Sequence, residues 1–91
     1  MNQKDFVVGK KIRIFNSFKF DGLNVAKDDE GVIRKVPSDG TGWIGIEWKK
    51  RKPCMHELSG LCPKRNGYNI DRDVLLANAR VINNKVRCFA I

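Results

Sequence analysis

At 91 residues the chain is long enough for one small domain and too short for two independent cores, since a domain near this size buries roughly 60–65% of the surface its unfolded chain exposes. A 42% hydrophobic content with two Trp and five Phe excludes a disordered polar chain, and no apolar run approaches the roughly 18 residues of a membrane span. The net charge of +8 favours anionic partners, either nucleic acid or an acidic protein surface, and an odd set of three cysteines argues for free thiols rather than a secreted disulfide framework.

Residues 1–5 lack the apolar segment of a signal peptide, so the expected location is the cytoplasm. The first strand is predicted within 6–15, with Val8, Ile12 and Ile14 on the core side and Lys11 and Arg13 opposite. Residues 16–28 mix Asn16, Ser17, Asp21, Gly22 and Asn24 with Phe18, Phe20, Leu23 and Val25. They read as an ordered loop whose aromatics cover one end of the core.

The stretch 29–50 reads as a β-hairpin and as the organising element of the chain. Val32, Ile33 and Val36 precede a turn punctuated by Pro37, Gly40 and Gly42, and Ile44, Ile46 and Trp48 follow at period 2, facing inward. A loop-dominated stretch rich in Gly, Pro and charge then occupies 49–68, with Met55 and Leu58 expected in a brief edge strand. Tyr68 and Ile70 resume a strand, and Asp71 is placed to cap one helical turn with Asp73 near its positive end. A closing hairpin is expected about Asn83 and Asn84.

Four to seven short strands with one decorated loop predict an all-β chain, a small barrel with a short helical or 3₁₀ turn and a C-terminal hairpin. The segments Val8-Gly-Lys-Lys-Ile-Arg-Ile, Asp29-Glu-Gly-Val-Ile, Trp43-Ile-Gly-Ile-Glu-Trp, Met55-His-Glu-Leu-Ser-Gly-Leu-Cys and Gly67-Tyr-Asn-Ile together resemble an SH3-like barrel. Within that superfold they are most similar to the Mib/Herc2 type and to short barrel proteins encoded in bacteriophages. The resemblance covers about residues 7–77 of a single domain, with 78–91 as a C-terminal strand extension. It implies a non-catalytic binding fold that takes peptides, nucleic acid or proteins on its loops and one exposed face.

Four constellations could carry chemistry. Residues 49–70 hold six basic side chains, Lys49, Lys50, Arg51, Lys52, Lys64 and Arg65, against one acidic. Such clusters release counterions on meeting phosphates, and Trp43 and Tyr68 are the candidates for an exposed stacking platform beside them. Cys54, His56 and Cys62 offer thiolate and imidazole ligands for zinc, with Cys88 as a fourth, but no Cys-x₂-Cys knuckle is present, and packed or free thiols are the preferred reading. Cys54 or Cys62 with His56 as base lacks an orienting group and an oxyanion site in the sequence, so no enzyme activity and no cofactor are expected. The triplet Asp28-Asp29-Glu30 reads as a solvated turn, with pairing to the basic loop as the alternative. The expected function is therefore nucleic-acid or nucleoprotein binding through the basic loop, with a protein-interaction module, such as a phage-encoded regulator or inhibitor of a host protein, as the alternative.

Overall fold

Alternation of apolar and polar residues builds one sheet whose inner face is almost entirely isoleucine. A computed structural model describes residues 1–38 and 42–82 of the chain. Strand β1 (Lys11–Ile14), β4 (Glu30–Lys35), β5 (Trp43–Trp48), β6 (Gly67–Asp71) and β7 (Ala79–Val81) form a five-stranded antiparallel sheet in the order β6-β5-β4-β1-β7. Residues directly opposite in an antiparallel pair share a face. The pairs Ile12↔Gly31, Gly31↔Trp48, Ile33↔Ile46 and Ile44↔Ile70 therefore put one set of side chains inside. Ile12, Ile14, Ile33, Ile44, Ile46, Ile70 and Trp48 are all buried there, so the predicted 29–50 hairpin is the centre of the sheet.

The mainly-β expectation holds, with a 3₁₀ turn at Gln3–Asp5 and helix α1 at Arg72–Asn78. Asp71 caps α1 as its spacing predicts, its carboxylate accepting from the Asp73 N–H at 2.8 Å, and Leu75 fixes the helix on the core. Among the described residues no helix is long and apolar enough to cross a membrane.

Three local expectations are corrected. Residues 18–25 form a second, two-stranded sheet, β2 (Phe18–Phe20) with β3 (Leu23–Val25), rather than a loop. Asp21 and Gly22 both take positive φ, 49° and 88°, as a two-residue hairpin turn of the primed type demands, and Leu23 and Val25 enter the core. Val8 is 58% exposed, because the chain turns at Gly9 (φ 98°) before β1 begins, and Phe6 is buried in its place with the Arg72 guanidinium 5.0 Å over its ring.

Met55 and Leu58 are buried without forming a strand, and the only ladder contact of that segment among the described residues is the bridge His56↔Gly67. The C-terminal strand extension expected from residue 78 begins with β7, which pairs with β1 at Ile12↔Val81 and Ile14↔Ala79, and Ala79 is buried. Asn83, Asn84 and the rest of the closing hairpin lie outside the described residues, as does Gly40.

Gly31 shows how tightly the inner face is filled. A Cβ at that position would stand 2.6 Å from Ile46 Cγ2 and 3.0 Å from the Glu47 carbonyl oxygen. Overpacking of this kind costs about 1–3 kcal/mol, so Gly31→Ala should lower the midpoint of chemical denaturation at unchanged slope. An unaltered midpoint would show that the sheet yields at this crossing.

Candidate nucleic-acid interface

The basic loop leaves the sheet at the end of β5 and returns at the start of β6, so its two charged ends depend on how those strands continue. They continue by one more pair. The Trp48 N–H donates to the Asn66 carbonyl at 2.8 Å, and the Asn66 side-chain amide donates to the Trp48 carbonyl at 2.6 Å. Asn66 is held for this by the Cys62 thiol, which donates to its Oδ1 at 2.8 Å. This contact beyond the Glu47↔Gly67 pair joins the residue before Lys49 to the residue after Arg65, so the two basic runs, Lys49 to Arg51 and Lys64 with Arg65, both meet the sheet at that point. All five are exposed. Arg65 Nε lies 3.8 Å from Glu57 Oε2, an exposed contact that contributes little.

Lys52, grouped with them in the sequence as a binding residue, differs from the other five in being engaged within the fold. Its ammonium donates to Asp29 Oδ2 at 2.8 Å and to the Asn24 carbonyl, and only 24% of its side chain is exposed. Asp29 is buried, and it also accepts from the Ala26 N–H at 2.9 Å. The acidic triplet is therefore not a solvated turn: Asp29 receives the basic loop, and Glu30 receives Arg13 at 2.8 Å. Lys50 reaches toward Asp29 at 3.8 Å with 76% of its side chain in solvent. The loop is thus pinned at Lys49, whose N–H donates to the Glu30 carbonyl, and again at Lys52, leaving the cations between on a short arc.

Burial pushes the Asp29 carboxyl up, but the hydrogen bond from Lys52, that from Ala26 and the positive fields of Lys52 and Lys50 more than offset it. The net pKa lies below the ordinary 3.8. Arg13 likewise lowers Glu30, against a smaller opposing effect of burial.

The aromatic candidates do not join the cations. Trp43 is 47% exposed, but it starts β5 whereas Lys49 follows the end of that strand, about 20 Å away by strand rise. Its ring meets Phe20 edge-on at 5.2 Å. Tyr68 is half-buried: its ring sits 5.6 Å from that of His56 and its O–H donates to the Asp21 carbonyl at 2.6 Å. Burial, with the Asp21 charge second, raises its phenol pKa.

The zinc alternative does not assemble. Cys54 is exposed, and Cys62 is buried with its thiol pushed up by burial. His56 Nδ1 accepts from the Leu58 N–H at 3.1 Å. Among the described residues no three His, Cys, Asp or Glu side chains converge as a metal group, and Cys88 lies outside those residues. Comparison with protein-family models, curated proteins and solved structures finds no match.

The Asp29–Lys52 pair has a pH signature. A carboxyl whose folded pKa is depressed contributes stability that is complete above its unfolded value of 3.8 and is lost as pH falls through the lower folded value. Asp29→Asn should flatten this acid limb of the stability curve. Lys52→Met should cost about 2–4 kcal/mol near neutral pH by leaving a buried carboxylate unpaired. Denaturant melts of the three proteins across acidic and neutral pH check both, and parallel acid limbs for the wild type and Asp29→Asn would remove Asp29 from the explanation.

Proposed function

We propose that this chain is a non-enzymatic, cytoplasmic binding module that engages nucleic acid or a nucleoprotein complex through the exposed basic end of its central hairpin. The observation that carries the reading is the reciprocal Trp48–Asn66 hydrogen bonding, which brings the two separately basic ends of the loop together. Five clustered cations release condensed counterions on contact with phosphates, giving salt-sensitive and largely sequence-independent attachment. The strand order supports an SH3-like architecture: the β2–β3 hairpin falls between β1 and β4, and a helical turn precedes the strand that returns to β1. In this reading function lies on loops, with no catalytic residue and no cofactor.

A second reading, favoured by the exposed Trp43 braced on Phe20, is a protein-interaction module such as a phage-encoded regulator or inhibitor acting in the host cytoplasm. Its surface lies at the opposite end of β5, so the two readings separate by mutation.

Retention of DNA or RNA by the purified chain at low salt tests the first. Lys49→Glu and Arg51→Glu together should reduce the salt slope by about one per lost phosphate contact and leave thermal stability intact. Lys52→Glu should instead unfold the loop. Failure of the wild-type chain to bind at low salt removes the nucleic-acid reading, and nuclease-resistant recovery of one stoichiometric protein from the host, lost on Trp43→Ala, establishes the second.

A further inference from the structure

Resting on the reading of the basic end as a nucleic-acid interface, we infer that its ligand is duplex nucleic acid gripped by the phosphate backbone, with no base stacked on the protein. Proteins that hold single strands set exposed aromatic faces along a cationic groove, because each unpaired base needs a π-surface to replace its lost stacking. The aromatic side chains nearest these cations in sequence are withdrawn. Trp48, directly before Lys49, is 2% exposed. Tyr68, just after the returning end of the loop, is committed to Asp21 through its hydroxyl and to His56 through its ring.

Among the described residues, the exposed aromatics lie elsewhere. Trp43 stands at the far end of β5, and Phe15 follows β1, two strands across the sheet from β5, with the Arg80 guanidinium 5.8 Å from its ring centre. The large apolar side chain exposed within the loop is Leu61, which offers no π-face.

What remains is charge, held on a short braced arc. The Lys49 N–H is fixed to β4, Lys52 is anchored on Asp29 and Asn24, and Asn66 ties the returning end to Trp48. Such a surface suits a stiff ligand whose phosphates are already in place, since little further ordering accompanies contact. A duplex presents one charge per roughly 1.7 Å of axis, so a compact group of cations displaces more counterion from it than from a single strand.

The full chain is titrated with a short duplex DNA, one strand of that duplex and an abasic single strand of equal length. With five contacts, the duplex should gain about tenfold in affinity over the single strand as salt falls from about 1 M to about 0.1 M. The normal and abasic strands should bind alike, and Phe15→Leu and Trp43→Leu should leave all three affinities unchanged. A single strand held as tightly as the duplex, weaker binding of the abasic strand, or loss of affinity in either aromatic variant overturns the inference while leaving the proposed function standing. Absence of binding to all three at the lowest salt removes the proposed function itself.

Discussion

A single buried carboxylate holds together parts of the chain that the sheet ladder leaves separate. Asp29 sits between β3 and β4, takes the Ala26 N–H on one side and the Lys52 ammonium on the other, and Lys52 in turn bonds the Asn24 carbonyl. Burying a charge is unfavourable unless it is paired and hydrogen-bonded, and here both partners are supplied by the loops it joins. The second hairpin, the start of the sheet's central strand β4 and the basic loop are therefore fixed relative to one another at one point. Isoleucine packing alone would hold the sheet while leaving the loop free to swing.

That arrangement divides the positive charge into two classes. Lys52, Arg13 and Arg34 face acids, with Arg34 Nε 2.6 Å from Glu47 Oε1, and organise the fold's outer surface. Lys49, Lys50, Arg51, Lys64 and Arg65 extend into solvent at one end of the central hairpin, Lys50 and Arg65 with only long 3.8 Å contacts to Asp29 and Glu57. The two classes are adjacent in the chain, Lys52 following Arg51 directly, so charge density alone does not separate a structural cation from an available one. Depth does: the ammonium of Lys52 reaches a carboxylate that is only 6% exposed.

The parts legible in the sequence were those written in local periodicity. Ile44, Ile46 and Trp48 alternate with polar or small neighbours, and the strand they predict lies at the sheet's centre; Asp71 precedes a helical run and caps it. Long-range geometry escaped. Trp43 is only six residues from Lys49 in sequence, but an extended strand turns that nearness into separation, so the expected joining of aromatic and basic groups fails. Asp29 is buried by residues up to 23 positions away, which no local window reveals. The β2–β3 hairpin was open to detection, since Asp21-Gly22 between apolar alternations is the strongest short-range hairpin signal. The aromatic residues flanking it, Phe18 and Phe20, suggest a cover for the core instead.

The pairing of β7 with β1 brings Val81 opposite Ile12, joining the first and last strands of the described sheet in chain order. Because the cost of closing a loop must be met before the contacts it brings can stabilise anything, a pairing of such long sequence separation is among the last to form and slows folding. During synthesis the central β4–β5–β6 meander can assemble as it emerges, but the side of β1 that β7 occupies stays bare until residues near 81 have left the ribosome. A nascent chain halted earlier would present that bare strand as an edge open to pairing with other chains.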